Sequence, residues 1–176
     1  MKNIEIINNE LFKIGKYEFI KFPDENGNIV GVLKDNLEDM IFGNNNDFYK
    51  SDILKKLNEE FLPEIESVVG AENVLEFETD LTSLDGSKKH GTMKSKVSLP
   101  TFDFYRKNRA MFEKYKLDDW WWLATPDTTS EYANDDWVVC VSPRGFIIND
   151  DYYVGGGHGV RPFLTFVSTI FDSLMN

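Results

Sequence analysis

This chain is poor in cysteine and histidine, and its positive charges are well outnumbered by its negative ones. One cysteine, Cys140, in 176 residues excludes an internal disulfide and any thiolate metal cluster within the chain. It lies in the apolar run Trp137-Val138-Val139-Cys140-Val141, where a free thiol acts as a small core hydrophobe and is inert as a nucleophile. Only two histidines are present, and 19 Lys and Arg stand against 30 Asp and Glu, a formal charge of −11. Direct binding to a nucleic-acid backbone is disfavoured, because that affinity comes from Lys and Arg displacing counterions. An acidic surface suits solubility, a basic partner or mimicry of a polyanion. No apolar run is long enough to span a bilayer, and Met1-Lys2-Asn3-Ile4-Glu5 lacks the charged-then-apolar layout of a secretion signal, so the expected compartment is the cytoplasm. Repeats of fixed period and low-complexity tracts are missing too, and residues 1–176 read as a single domain.

What is present suffices for a core. The hydrophobic share of 41% and charged share of 28% are those of a globular chain, and the 14 Phe, 7 Tyr and 4 Trp suit either a dense interior or a recognition surface. Residues 13–22 alternate in aromatic and β-branched types and predict a strand. Asn26-Gly27 supplies a turn, and Ile29-Val30-Gly31-Val32-Leu33 returns as the hairpin partner. Asp24, Asn26 and Asn28 imitate the opening of a calcium loop, but the later ligands fall at the wrong spacing, so the turn reading stands. Residues 35–50 are polar and contain Gly43-Asn44-Asn45-Asn46, which predicts an exposed loop.

Ser51 or Asp52 can cap a helix in which Ile53, Leu54, Leu57 and Phe61 recur at helical spacing, with Pro63 interrupting it. Residues 74–77 predict a short strand. The polar stretch 79–92 follows as a solvated loop, with His90 at the surface. Lys96-Val97-Ser98-Leu99-Pro100 reads as a strand, and Thr101 caps a helix over 102–115 with Phe102, Tyr105, Arg109 and Phe112 on one face. The C-terminal third alternates strands and turns: 120–123, 137–141, 145–149 and 160–167, with Ser142-Pro143-Arg144-Gly145 as a hairpin turn. The order predicts an α+β fold with an N-terminal β-hairpin, two helices and a mostly antiparallel sheet.

Two segments carry a resemblance. Trp121-Trp122-Leu123-Ala124-Thr125-Pro126 and Gly159-Val160-Arg161-Pro162-Phe163-Leu164 resemble the WWLRSP and GVRPAL motifs of a family of uncharacterised domains from Gram-positive bacteria, their phages and mobile elements. Gly15-Lys16-Tyr17-Glu18, the helix from Ser51 to Phe61 and Val97-Ser98-Leu99-Pro100 are similar to its earlier elements. Ala124 and Thr125 depart from the family's Arg and Ser. The element order also resembles C-type-lectin-like folds, and the closing Gly159-Val160-Arg161-Pro162 is similar to that of formylglycine-generating enzymes and phage variable proteins. This bears on architecture rather than activity. A phage origin would make a virion-associated location an alternative to the cytoplasm.

The segment between Asp118 and Arg161 holds eight acids, two arginines and no lysine. Asn134-Asp135-Asp136 and Asn149-Asp150-Asp151, read as successive loops, are candidate calcium ligands, set against their ordinary role as turn residues. Otherwise no cofactor is expected. Paired carboxylates also admit a glycoside hydrolase, although abundance alone does not provide its geometry. His158 stands among glycines without a nucleophile beside it. The glycine run leads into a strand rather than a helix, so it lacks the N-terminus that phosphate loops use. Arg161 is expected to pair internally, with backbone carbonyls or a carboxylate such as Asp119. Trp121 must point opposite to Trp120 and Trp122, so that either it or the outer pair meets another layer or the surface.

Tyr132, Asp135, Asp136, Trp137, Arg144, Asp150, Asp151, Tyr152, Tyr153 and His158 are therefore the candidate binding residues. Aromatic and Arg side chains on loops of a rigid sheet are what recognition surfaces use. The functional expectation is a non-enzymatic interaction module that binds a protein or glycan. An acidic phage or mobile-element inhibitor of a basic, nucleic-acid-binding host defence protein is the alternative, and a hydrolase ranks last.

Overall fold

A computed structural model describes residues 3–129, 136–151 and 157–172, with the backbone alone at Asp151. The fold is α+β and its strand pairs are mostly antiparallel. β1 (Ile4–Ile6), β2 (Leu11–Ile14), β3 (Tyr17–Pro23) and β4 (Ile29–Leu33) form a meander. The single strand expected over 13–22 is broken at Gly15-Lys16. Gly15 adopts φ +58° there, and the resulting tight turn reverses the chain between β2 and β3. The Asn26-Gly27 turn forms as expected, with Gly27 N–H donating to the Asp24 carbonyl at 3.1 Å.

Beyond β4 the same sheet continues through β14 (Phe163–Phe166). The other edge of β14 is shared by β6 (Val74–Leu75) and β9 (Val97–Ser98). A second sheet runs in the order β12 (Ile147–Asp151), β11 (Trp137–Val141), β10 (Trp121–Pro126), β13 (His158–Gly159), β5 (Asp39–Met40). Its β10–β13 pair is parallel. A separate ribbon joins β7 (Phe77–Asp80) to β8 (Thr92–Ser95).

Both main sheets are covered on two sides. Phe12, Ile14, Phe19 and Phe166 face one apolar cluster, which they share with Trp122, Cys140 and a helical segment. That segment is α1 (Asp52–Lys56), a π turn (Leu57–Phe61) and α2 (Leu62–Val69), capped by Ser51 Oγ accepting from Leu54 N–H at 3.0 Å. Pro63 does not interrupt this helix. It lacks an N–H, and the preceding turn widens to π geometry while the helix runs on. Leu11, Ile20, Phe22 and Val32 face the second cluster with Trp121, Leu123, Tyr105 and Phe112. Here α3 (Phe102–Lys107) and α4 (Arg109–Lys114) lie against them, separated at Asn108 rather than continuous over 102–115. A short α5 (Thr169–Asp172) closes the described chain.

Strands with both faces buried read as unbroken apolar runs, as in the wholly buried β4 and β10. The three tryptophans follow from this. Trp121 enters one cluster and Trp122 the other, while Trp120 is half-buried at the margin. Trp122 Nε1–H donates to the Met40 carbonyl at 2.8 Å, satisfying its polar edge.

The strand expected over 160–167 is divided, because the chain crosses from one sheet to the other between Gly159 and Phe163. At the crossing the fully buried Arg161 donates from Nε to the Leu33 carbonyl (2.9 Å) and from Nη2 to the Lys34 carbonyl (2.8 Å). Its guanidinium lies 4.7 Å from the Trp121 ring centroid and 5.5 Å from that of Phe112. Burial pushes its pKa down to about 9, so it remains a cation at neutral pH. The expected internal role holds, with carbonyls rather than Asp119 as the partners. Residues 35–50 also depart from expectation: Phe42, Asn46 and Phe48 are fully buried, and β5 lies within this stretch.

Candidate functional site

The hairpin of β11 and β12 projects from the edge of the second sheet. Its turn forms as the sequence predicts. Gly145 N–H donates to the Ser142 carbonyl at 2.8 Å with φ +76°, and Ser142 Oγ accepts from Phe146 N–H at 3.0 Å. Tyr105 Oη anchors it from α3 by donating to the Gly145 carbonyl at 3.2 Å. The turn is thereby tied to the core, and what it displays has a fixed place.

It displays apolar surface. Phe146 is 62% exposed and Ile148 38%. With Trp120, Pro143 and Arg144 they line a shallow cleft of about 370 Å³. Ile148 pairs across the ladder with Cys140, and Cys140 with Trp122. All three therefore share a face of the sheet, but Ile148, on the outermost strand, extends past the core that covers the others. Cys140 lies inside that face, and burial pushes its thiol up to about 12.

His158 and Asp150 adjoin this shelf. The His158 ring stacks on Trp120 at 5.7 Å between centroids and lies 4.4 Å from Trp122. Its Nε2 is 2.8 Å from Asp150 Oδ2, joining β13 to β12 across the sheet. His158 was expected among glycines without a nucleophile beside it; the structure gives it a carboxylate partner eight residues earlier in the chain, on a strand separated from its own by β11 and β10 in the sheet. A His–carboxylate pair stacked on indoles orders a surface. As catalytic machinery it would also require a group to activate.

No family profile, curated protein or solved structure matches this chain.

Of the ten candidate binding residues, the structure brings Asp150 and His158 into contact and places Arg144 on the shelf beside them. Trp137 is exposed at the start of β11, on the opposite face from Ile148, and Asp136 is half-buried just before it. Tyr132, Asp135, Tyr152 and Tyr153 lie outside the described residues, as does the side chain of Asp151. Asn149-Asp150-Asp151 is a strand rather than a loop, so Asn149 and Asp150 point to opposite faces and do not converge on one ion. Among the described residues no group of three His, Cys, Asp or Glu side chains is placed to hold a metal.

Sequence reasoning missed Phe146 and Ile148, which define the shelf. The available signal was Phe146-Ile147-Ile148 immediately after a turn. Strand alternation sends Ile147 and Ile148 to opposite faces, and only one of them can find the core that Ile147 reaches.

The other histidine was also misplaced. His90 was expected at the surface, yet its side chain is only 11% exposed. Its Nε2 donates to Asn46 Oδ1 at 2.9 Å, and Nδ1 stands 3.9 Å from Asp47. Asn46 Nδ2 in turn donates to the carbonyls of Thr128 (2.8 Å) and Trp137 (3.3 Å). Nearby, the Asp85 carboxylate accepts from the hydroxyls of Ser83 and Thr128, which hold its pKa below the usual carboxylate value. These bonds fasten three polar loops together where β10 ends and β11 begins, so the stretch expected to be simply solvated carries structure.

Proposed function

We propose that this chain is a non-enzymatic interaction module that binds a protein of basic character through the shelf on the β11–β12 hairpin. The observation that carries the proposal is the exposure of Phe146 and Ile148 beside Trp120 on a sheet-edge strand whose turn is anchored to the core. A rigidly held apolar patch on the end strand of a sheet is a surface that partners use. The sign of the partner follows from charge. The 118–161 segment carries eight acids against two arginines, and one of those, Arg161, is buried. A protein is favoured over a glycan because the shelf walls are apolar, while the polar groups beside them, Asp150 and His158, are bonded to each other.

The scaffold is proposed to be C-type-lectin-like. Two helical segments precede the Trp-bearing β10, and the closing strand β14 returns to pair with β4 of the N-terminal meander, which supports that reading. Membership of the bacterial and phage family with the paired Trp-rich and Gly-Val-Arg-Pro motifs is part of the same proposal, with the cytoplasm or a virion as the location. No described helix is long and apolar enough to cross a membrane.

The same charge supports a second reading, in which the chain inhibits a basic nucleic-acid-binding defence protein by occupying its cleft. Salt separates the two readings, since binding through the shelf persists at high ionic strength and binding through charge does not. The test is affinity capture with the wild type and with F146S/I148S, followed by titration of each purified candidate. A partner bound by the wild type and lost by a variant of unchanged Tm supports the module. Equal binding by both excludes the shelf.

A further inference from the structure

Besides its apolar side chains, the β11–β12 hairpin presents backbone. Sheet edges are ordinarily blunted by short strands, Lys, Pro or bulges. The other end strands of the two main sheets are short: β1 has 3 residues, and β5, β6 and β9 have 2 each. β12 has 5, Ile147-Ile148-Asn149-Asp150-Asp151, with neither Lys nor Pro among them, and it pairs with β11 at every one without a register shift.

Which backbone groups face outward follows from the turn. Ser142 N–H donates to the Phe146 carbonyl at 2.9 Å, and bonded and non-bonded pairs alternate along an antiparallel ladder. Cys140 with Ile148 and Val138 with Asp150 are therefore the bonded pairs, so Ile147 and Asn149 turn their N–H and C=O groups away from β11. Among the described residues no backbone group meets them on that side. The side chains add a pattern. Phe146, Ile148 and Asp150 alternate onto one face, two exposed apolar residues followed by a carboxylate.

We propose, on the reading that the shelf is the docking surface, that the basic partner presents an extended segment which adds an antiparallel strand to β12 through the backbone of Ile147 and Asn149. Antiparallel addition sets a basic side chain opposite Asp150 and apolar ones opposite Ile148 and Phe146, so the segment reads basic–x–apolar–x–apolar. A second copy of this chain does not fit. Paired antiparallel about Asn149, each Asp150 would face the other copy's Ile148, and two chains of charge −11 would meet along their acidic segments.

The probe is the peptide acetyl-Thr-Lys-Thr-Ile-Thr-Val-Thr-amide, titrated at millimolar concentration into the isotope-labelled intact chain and followed by nuclear magnetic resonance. Saturable binding is expected, with the Ile147 and Asn149 amide protons shifting downfield and exchanging at least ten-fold more slowly. N-methylation of the two threonines that flank the peptide's isoleucine keeps every side chain and should weaken binding at least ten-fold, whereas N-methylation of the isoleucine should not. N149P removes an N–H that β11 does not use, so it should weaken binding equally while the fold survives. If N149P fails to fold, the N-methylated peptides decide the matter on the wild type. No saturable binding, equal binding by the peptide methylated at both threonines, or shifts that miss Ile147 and Asn149 would overturn the proposal, as would a wild-type dimer in sedimentation that N149P dissociates. A captured partner that binds N149P as tightly as the wild type but not F146S/I148S would retain the shelf and overturn the added strand.

Discussion

Replacing Arg161 by Met tests how the two sheets are held together. The guanidinium is fully buried at the chain crossing, and burial pulls its pKa from 12.5 to about 9, a desolvation penalty on the order of 5 kcal/mol. Against this stand two hydrogen bonds from a charged donor, about 1.5–3 kcal/mol each, and a buried cation–π contact with Trp121 of about 2 kcal/mol. These terms nearly cancel, so the loss of the charge itself does not decide the outcome. What decides it is the pair of acceptors left behind. The Leu33 and Lys34 carbonyls both lose their guanidinium donor, at about 1–3 kcal/mol each, while Met conserves most of the volume and opens little cavity. R161M should therefore destabilise the fold by about 2–6 kcal/mol, which for a chain of this length lowers Tm by about 5–20 °C. Thermal and urea unfolding followed by circular dichroism measure this. A variant as stable as the wild type would refute the reasoning, because it would mean the carbonyls do not depend on the clamp.

Other perturbations have equally definite outcomes. A Cβ at Gly31 would stand 2.8 Å from Phe12, 3.1 Å from Phe166 and 3.2 Å from Phe19, so G31A should overpack the core by about 1–3 kcal/mol, read as a lower urea midpoint at constant m-value. Asp85 has its pKa depressed by hydroxyl donors, so its stabilisation is present above the ordinary value near 3.8 and is lost as pH falls through the lower folded value. D85N should accordingly lower Tm at pH 7, with the difference from wild type closing towards pH 2. Cys140, raised to about 12 by burial, should resist iodoacetamide at pH 8 until the chain is unfolded by denaturant. Its contribution to stability is complete below about pH 9 and is lost as pH rises towards 12.

Much of this fold could be read along the chain, because its signals are local. Ser51 and Thr101 cap the helices they precede, Asn26-Gly27 and Ser142 to Gly145 turn where turns were expected, and Trp137 to Val141 is a strand with those bounds. What could not be read depends on partners distant in sequence. The alternation of 13–22 does not reveal that Gly15 turns the chain back on itself. The apolar character of 160–167 does not show that the strand leaves one sheet for the other at Arg161. His90 and Asn46 are 44 residues apart, so neither predicts the other's burial. The site divides in the same way. Asp150, His158 and Arg144 were nominated as binding residues on loops, whereas the shelf itself is made by Phe146 and Ile148, apolar residues whose exposure depends on β12 being the last strand of its sheet. Hydrophobicity alone assigns such residues to the core.

Docking of a basic protein on this edge would leave a mark on the backbone of the hairpin. The most direct measurement is amide hydrogen exchange across the described backbone, with and without a partner isolated by the wild-type chain. Slowed exchange is expected over residues 144–151 of the hairpin turn and β12, abolished by F146S/I148S at unchanged Tm. Protection confined to the opposite end of β10, or unaltered in that variant, would contradict it.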